Sequence, residues 1–144
     1  MSTGLSRVKM RLSSLGFPVS GPTDGFPFSH FLVIFSNSRS QKIAVLDPGR
    51  KTFGQECVQL LGISFFGPVD QFEHIRLQDL PEHSAGQSGG WFWQKTAENK
   101  VMAGYGLLLP VNEFLSDPEL ERLIQEVANV SDVGEKGLSG EDQL

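Results

Sequence analysis

Two short apolar runs separated by four polar residues constrain this chain most. The first is His30-Phe31-Leu32-Val33-Ile34-Phe35-Ser36 and the second is Gln41-Lys42-Ile43-Ala44-Val45-Leu46-Asp47. Each is too short for a buried helix, and the first is nearly continuous in apolar and β-branched residues, so it reads as a central strand. Asn37-Ser38-Arg39-Ser40 between them is turn chemistry. The pair therefore predicts an antiparallel hairpin, ended by Pro48-Gly49.

Other periodicities place elements around that hairpin. Leu5, Val8, Leu12 and Leu15 form one stripe of a helix over 4–15, with Thr3 as its cap and Gly16 in the position after its end. Residues 16–28 are rich in Pro and Gly and read as a loop, with a brief strand at Phe17–Ser20. Thr52 and Gln55 stand in capping-box spacing, and Phe53, Cys57, Val58 and Leu61 complete a stripe, which predicts a second helix over 52–61 stopped by Gly62. Ile63-Ser64-Phe65-Phe66 resumes apolar character until Gly67-Pro68, and residues 71–77 alternate as a strand would. Residues 78–90 are polar and Gly/Ser-rich, a loop of the length that is either functional or mobile. Residues 91–96 and 100–109 predict a second hairpin, with Gly104 and Gly106 marking a bulge or a close backbone approach.

The last helix carries the clearest signals. Ser116 and Glu119 form a capping box, Pro118 sits in the first turn, and Leu120, Leu123, Ile124 and Val127 follow at i, i+3, i+4, i+7. From Ser131 onward the chain is Gly-, Ser- and acid-rich without periodicity, which predicts a disordered acidic tail over 131–144 behind a single domain over 1–130. The predicted fold class is α+β: a mostly antiparallel sheet with an N-terminal helix, a central helix and a C-terminal amphipathic helix on the sheet.

Composition narrows the function. The chain has 144 residues, enough for one domain with a real core. Cys57 is the single cysteine, so no internal disulfide can form, which suits a reducing compartment. The N-terminal residues lack the apolar core of a secretory signal, and no stretch approaches the ~20 apolar residues that cross a bilayer. A cytoplasmic location and no membrane span are expected. Acidity is concentrated at one end: residues 112–144 hold nine acids and two bases, a balance of −7, whereas residues 1–111 stand at +2. The one basic cluster, Arg7, Lys9 and Arg11, reads as the solvated face of a helix. Nothing recruits a phosphate backbone, and no nucleic acid is expected.

Candidate chemistry is sparse. Cys57 near the start of a predicted helix, with His74 and His83 downstream, has the order of a thiol hydrolase, because a helix N-terminus lowers a thiol pKa and a His can serve as base. Against that, Cys57 lies on the apolar stripe, and free Cys is among the most buried residue types. His30, His74 and His83 show no metal-ligand spacing, so no metal and no cofactor is expected. Asp47-Pro48-Gly49-Arg50-Lys51-Thr52 follows a strand and precedes a predicted helix, but it lacks the second glycine of a phosphate loop and reads as a basic turn, with at most an anion site at that helix N-terminus. No sharp carboxylate pair stands out.

The most informative cluster is Trp91-Phe92-Trp93 behind Gly89-Gly90. In a strand both indoles share one face and Phe92 takes the other. With Phe92 in the core, the two indoles form an exposed anchor of the hot-spot kind; with the faces reversed, both are core. In outline, over about 130 residues, the chain resembles the chaperones of type III secretion and related small acidic bacterial proteins. The resemblance rests on the amphipathic first helix Leu5 to Leu15, the hairpin 30–47, the helix 52–61, and Leu107-Leu108-Leu109-Pro110-Val111 followed by the capped acidic helix Leu120 to Val127. It departs over 63–90, which is longer and more broken than that family's pattern. It implies a homodimer that wraps an extended partner segment on its sheet and apolar grooves, without catalysis. The expected function is thus a non-catalytic protein-binding module, of chaperone, adaptor or inhibitor (immunity-protein) type, whose partner protein contacts Trp91, Phe92, Trp93, Leu120 and Leu123. The alternative is a small thiol hydrolase using Cys57 and His74.

Overall fold

A computed structural model describes residues 3–23, 26–35, 39–47, 51–52, 55–72, 89–96, 99–110 and 116–139. Helix α1 (Thr3–Ser14) leads into strands β1 (His30–Ile34) and β2 (Ser40–Leu46), the short β3 (Lys51–Thr52) and the long β4 (Gln55–Pro68). One helical turn, α2 (Val69–Phe72), precedes β5 (Gly90–Lys95), β6 (Lys100–Pro110) and helix α3 (Asp117–Ser139). The long strands form one antiparallel sheet in the order β1-β2-β4-β6-β5, and β3 pairs with the start of β4. The fold is α+β, and both hairpins expected from the sequence are present.

Helices α1 and α3 cover one face of this sheet. Their stripes, Val8 and Leu12 of α1 and Leu120, Leu123, Ile124, Val127 and Ala128 of α3, interlock with Phe31, Val33, Ile43, Val45, Val58, Leu60, Tyr105, Leu107 and Leu109. Fully buried side chains such as Leu12 and Ile124 each contribute about 1.5–3 kcal/mol by leaving water. The Ser116 cap read from the sequence is formed: the Glu119 backbone N–H donates to Ser116 Oγ at 3.3 Å. Gly16 follows α1 at φ +94°, where its amide and that of Phe17 donate back to Ser13 and Leu12 carbonyls.

The opposite face is covered only in part. Phe26, from the loop before β1, is buried there against Ala44, Leu61, Ile63 and Met102, with Phe28, Leu46 and Phe66 around it. Lys42 lays its ammonium over the Phe26 ring at 4.6 Å.

Two expectations are corrected. The predicted central helix over 52–61 is strand. Thr52 and Gln55, which resemble a capping box, are register partners in the β3–β4 hairpin. Cys57, Gln59, Leu61 and Ile63 point to one face, and Val58 and Leu60 to the other. Because β4 lies between β2 and β6, both faces are apolar, and a near-continuous apolar run satisfies helical and strand periods alike. The backbone hydrogen bonds of two neighbouring strands decide between them.

The second correction concerns 131–139, expected to begin a disordered tail. The helix α3 continues through them to Ser139, and Ser131, Asp132, Gly134 and Glu135 are buried. Small residues let helix and sheet approach closely here: a Cβ on Gly62 of β4 would lie 2.2 Å from Ser131 Oγ. Residues 140–144 lie outside the described residues; of the strand expected over 71–77, Gln71 and Phe72 belong to α2 and 73–77 lie outside the described residues.

A bulge in β4 serves the same contact. Register slips between Ile63 and Phe65, so Ser64 is the extra residue, and its hydroxyl donates to the Ser131 carbonyl at 2.8 Å. The Ile63 carbonyl is met by the Gln41 side-chain amide at 2.6 Å. Opposite the bulge, a Cβ on Gly104 would sit 1.7 Å from the Gly62 carbonyl oxygen, so only glycine fits there.

Candidate functional site

Strand β5 closes one side of the sheet. It pairs with β6 from Gly90↔Gly106 to Lys95↔Val101, and its outer edge has no strand partner among the described residues. Unpaired edge amides and carbonyls are a template for another strand. The alternation of β5 puts Trp91 and Trp93 on the helix side and Phe92 on the open side, opposite Gly104.

The two indoles have different surroundings. Trp91 is half-buried against the helix-side core, its ring edge-on to Tyr105 with centroids 5.6 Å apart. Gly134 of α3 makes room for it, since a Cβ there would lie 2.4 Å from Trp91 Cη2. Trp93, one pleat further along, is 59% exposed, and Phe92 is 40% exposed. The expected choice between two outer indoles and two core indoles thus resolves into one of each. Leu120 and Leu123 are also corrected: both are buried in the core beneath α3, so neither offers its side chain to a partner on the folded chain.

On the open face, Phe92 borders a depression of about 600 Å³ lined also by Phe28, Leu46, Asp47, Gln59, Gln94 and Leu108. The lining mixes four apolar side chains with two amides and one carboxylate. At the far edge of the same face, Leu32 and Ile34 of β1 are exposed. Of the Gly/Ser-rich stretch 78–90, Gly89 and Gly90 belong to the described residues.

A buried network supports β5 from beneath. The Tyr105 hydroxyl donates to Glu126 Oε2 at 2.7 Å and accepts from the Gly89 backbone N–H at 2.9 Å. Burial first, and then the hydrogen bond to the Glu126 carboxylate, push the phenol up to about 12. Tyr105 therefore stays a neutral donor that ties α3 to the start of β5. The sequence holds a clue to this in its single Tyr among eleven Phe: a hydroxyl buried in an otherwise apolar core needs partners.

The thiol reading loses its premise. Cys57 is buried in strand β4, register partner of Pro110, and not at a helix N-terminus. His74 and His83 lie outside the described residues. Lys51 and Thr52 belong to a strand, so the helix N-terminus considered for an anion does not form there. His30 is buried, with Nδ1 3.0 Å from the Phe28 carbonyl and its ring edge-on to Phe26. Among the described residues, no three His, Cys, Asp or Glu side chains gather as metal ligands, and no helix is long and apolar enough to cross a membrane.

Comparison with protein-family models, with curated proteins and with solved structures found no match to this chain.

Proposed function

We propose that this protein is a non-catalytic protein-binding module that takes an extended segment of a partner protein along β5. The observation that carries this is Phe92 and Trp93, two exposed aromatic side chains on opposite faces of an edge strand whose outer edge is unpaired among the described residues. Edge amides give affinity to an added strand, and side chains alternating to the two faces give it specificity. Aromatic anchors beside such an edge lose water on binding and fix the register. The depression next to Phe92, lined by apolar and amide side chains together, suits a side chain from that segment with an apolar body and a polar end.

A chaperone-like role is the form of this reading we favour. The helix over 52–61 that the resemblance to type III secretion chaperones counted on is strand, so this form rests on the remaining features of that resemblance: the first helix, the hairpin 30–47 and the closing strand and helix. A homodimer belongs to the same proposal, with a cytoplasmic location.

The test uses fluorescent ten-residue peptides of alternating apolar and polar residues as the probe, with anisotropy as the readout. Phe92→Ala and Trp93→Ala should each weaken binding at least about tenfold, the loss of an anchor contributing about 1.4 kcal/mol. Affinities unchanged in both variants would refute the site. Light scattering on the full chain tests the dimer separately.

A further inference from the structure

Helix α3 has two halves built on different physics. From Leu120 to Ala128 it buries five apolar side chains: Leu120, Leu123, Ile124, Val127 and Ala128. From Ser131 to Glu135 the buried side chains are those of Ser131, Asp132 and Glu135, while Val133, the one apolar side chain in that stretch, is 54% exposed. Over Ser131 to Glu135, the contacts that bind the helix to the body are polar or involve small residues. Ser64 donates to the Ser131 carbonyl, Arg39 beside the β1–β2 turn pairs with Asp132, and Gly134 rests on the Trp91 ring.

Segments with little buried apolar surface open at lower free energy than the core they adjoin. Gly134 and Gly137 weaken the helix further, since glycine is among the poorest helix formers. Both features coincide over the stretch that covers Trp91.

We infer that residues 131–139 are a strap that lifts from the sheet while 120–128 stay docked, and that lifting uncovers Trp91 for binding. Arg39 and Asp132 are its latch. Trp91 and Trp93 share one face of β5 two residues apart, which in a strand is roughly 6–7 Å. The closed strap leaves Trp93 as the sole exposed indole on that face of β5, and the open strap presents two. Two indoles at strand spacing match an extended partner segment with apolar side chains at positions i and i+2, which repeat at the same distance. The strap thus sets how much of the edge a partner meets. This inference rests on the reading of β5 as the binding edge, and it names the feature of the partner that the second indole reads.

Hydrogen exchange of the full-length chain, without any partner, tests the strap directly. Amides of 131–139 should exchange at least about tenfold faster than those of 120–128, and Arg39→Gln should accelerate the first set alone. A second readout uses Trp93→Phe, which leaves Trp91 as the only indole. Acrylamide quenching of Trp91 should rise several-fold when Arg39→Gln is added. Equal protection of both halves of α3, or an Arg39→Gln change that moves neither readout, overturns the strap. Failure of the binding reading has a different signature: peptide affinity indifferent to Trp93 while 131–139 still exchange early.

Discussion

Raising the pH should destabilise this protein through a single hydroxyl. Tyr105 is fully buried, donates to Glu126, and holds its proton up to about 12 against an ordinary value of 10.0. The folded chain thus binds that proton more tightly than the unfolded chain does. Below pH 10 the phenol is neutral in both states and its full contribution is present. As pH rises from 10 toward 12 the unfolded chain ionises first, and the contribution is lost. Two units at about 1.36 kcal/mol each make the loss about 2.7 kcal/mol, a sizeable part of the 5–15 kcal/mol typical of a domain. Urea unfolding at a series of alkaline pH values would measure the slope. Tyr105→Phe is the control: it lowers stability at neutral pH by about 1–3 kcal/mol, because the Gly89 amide and the Glu126 carboxylate lose a partner. It should also remove this part of the alkaline slope. The chain has one tyrosine, so phenolate absorbance in the native state reports this group alone. A native phenol that titrates near 10, with wild type and Tyr105→Phe losing stability in parallel, would refute the argument.

Two further outcomes follow from the packing. Trp93→Ala should leave the denaturation midpoint within about 0.5 kcal/mol of wild type, whereas Trp91→Ala should cost about 2–3 kcal/mol, since only Trp91 packs on the core; equal costs would contradict the placement of the two indoles. Gly62→Ala should destabilise by about 1–3 kcal/mol, because its Cβ would meet Ser131 Oγ at 2.2 Å and the Val127 carbonyl at 3.0 Å, and calorimetry showing no change would mean that α3 does not sit against β4.

Much of the architecture is legible in the residues before any contact is known. The hairpin 30–47 follows from two apolar runs and a polar turn, and the first half of α3 from Ser116, Glu119 and the stripe Leu120 to Val127. The second hairpin follows from Trp91 to Thr96 and Lys100 to Leu109, with Gly104 marking the close approach at the bulge. These signals are local: caps, turns and one-sided periodicity act within a few residues, so the sequence carries them openly.

What the residues alone could not decide is which neighbours each segment would meet. Residues 55–66 satisfy a helical stripe and a two-sided strand equally, and only the flanking strands β2 and β6 make the strand the lower free-energy choice. Ser131 to Ser139 lacks an apolar stripe and by composition is a tail, yet Gly62, Ser64, Arg39 and Trp91 supply partners from distant parts of the chain. The same dependence governs the site. Alternation places Trp91 and Trp93 on one face of β5, and that much is fixed by the strand period. That one indole is packed and the other more exposed depends on where α3 crosses, a tertiary fact that no local pattern encodes.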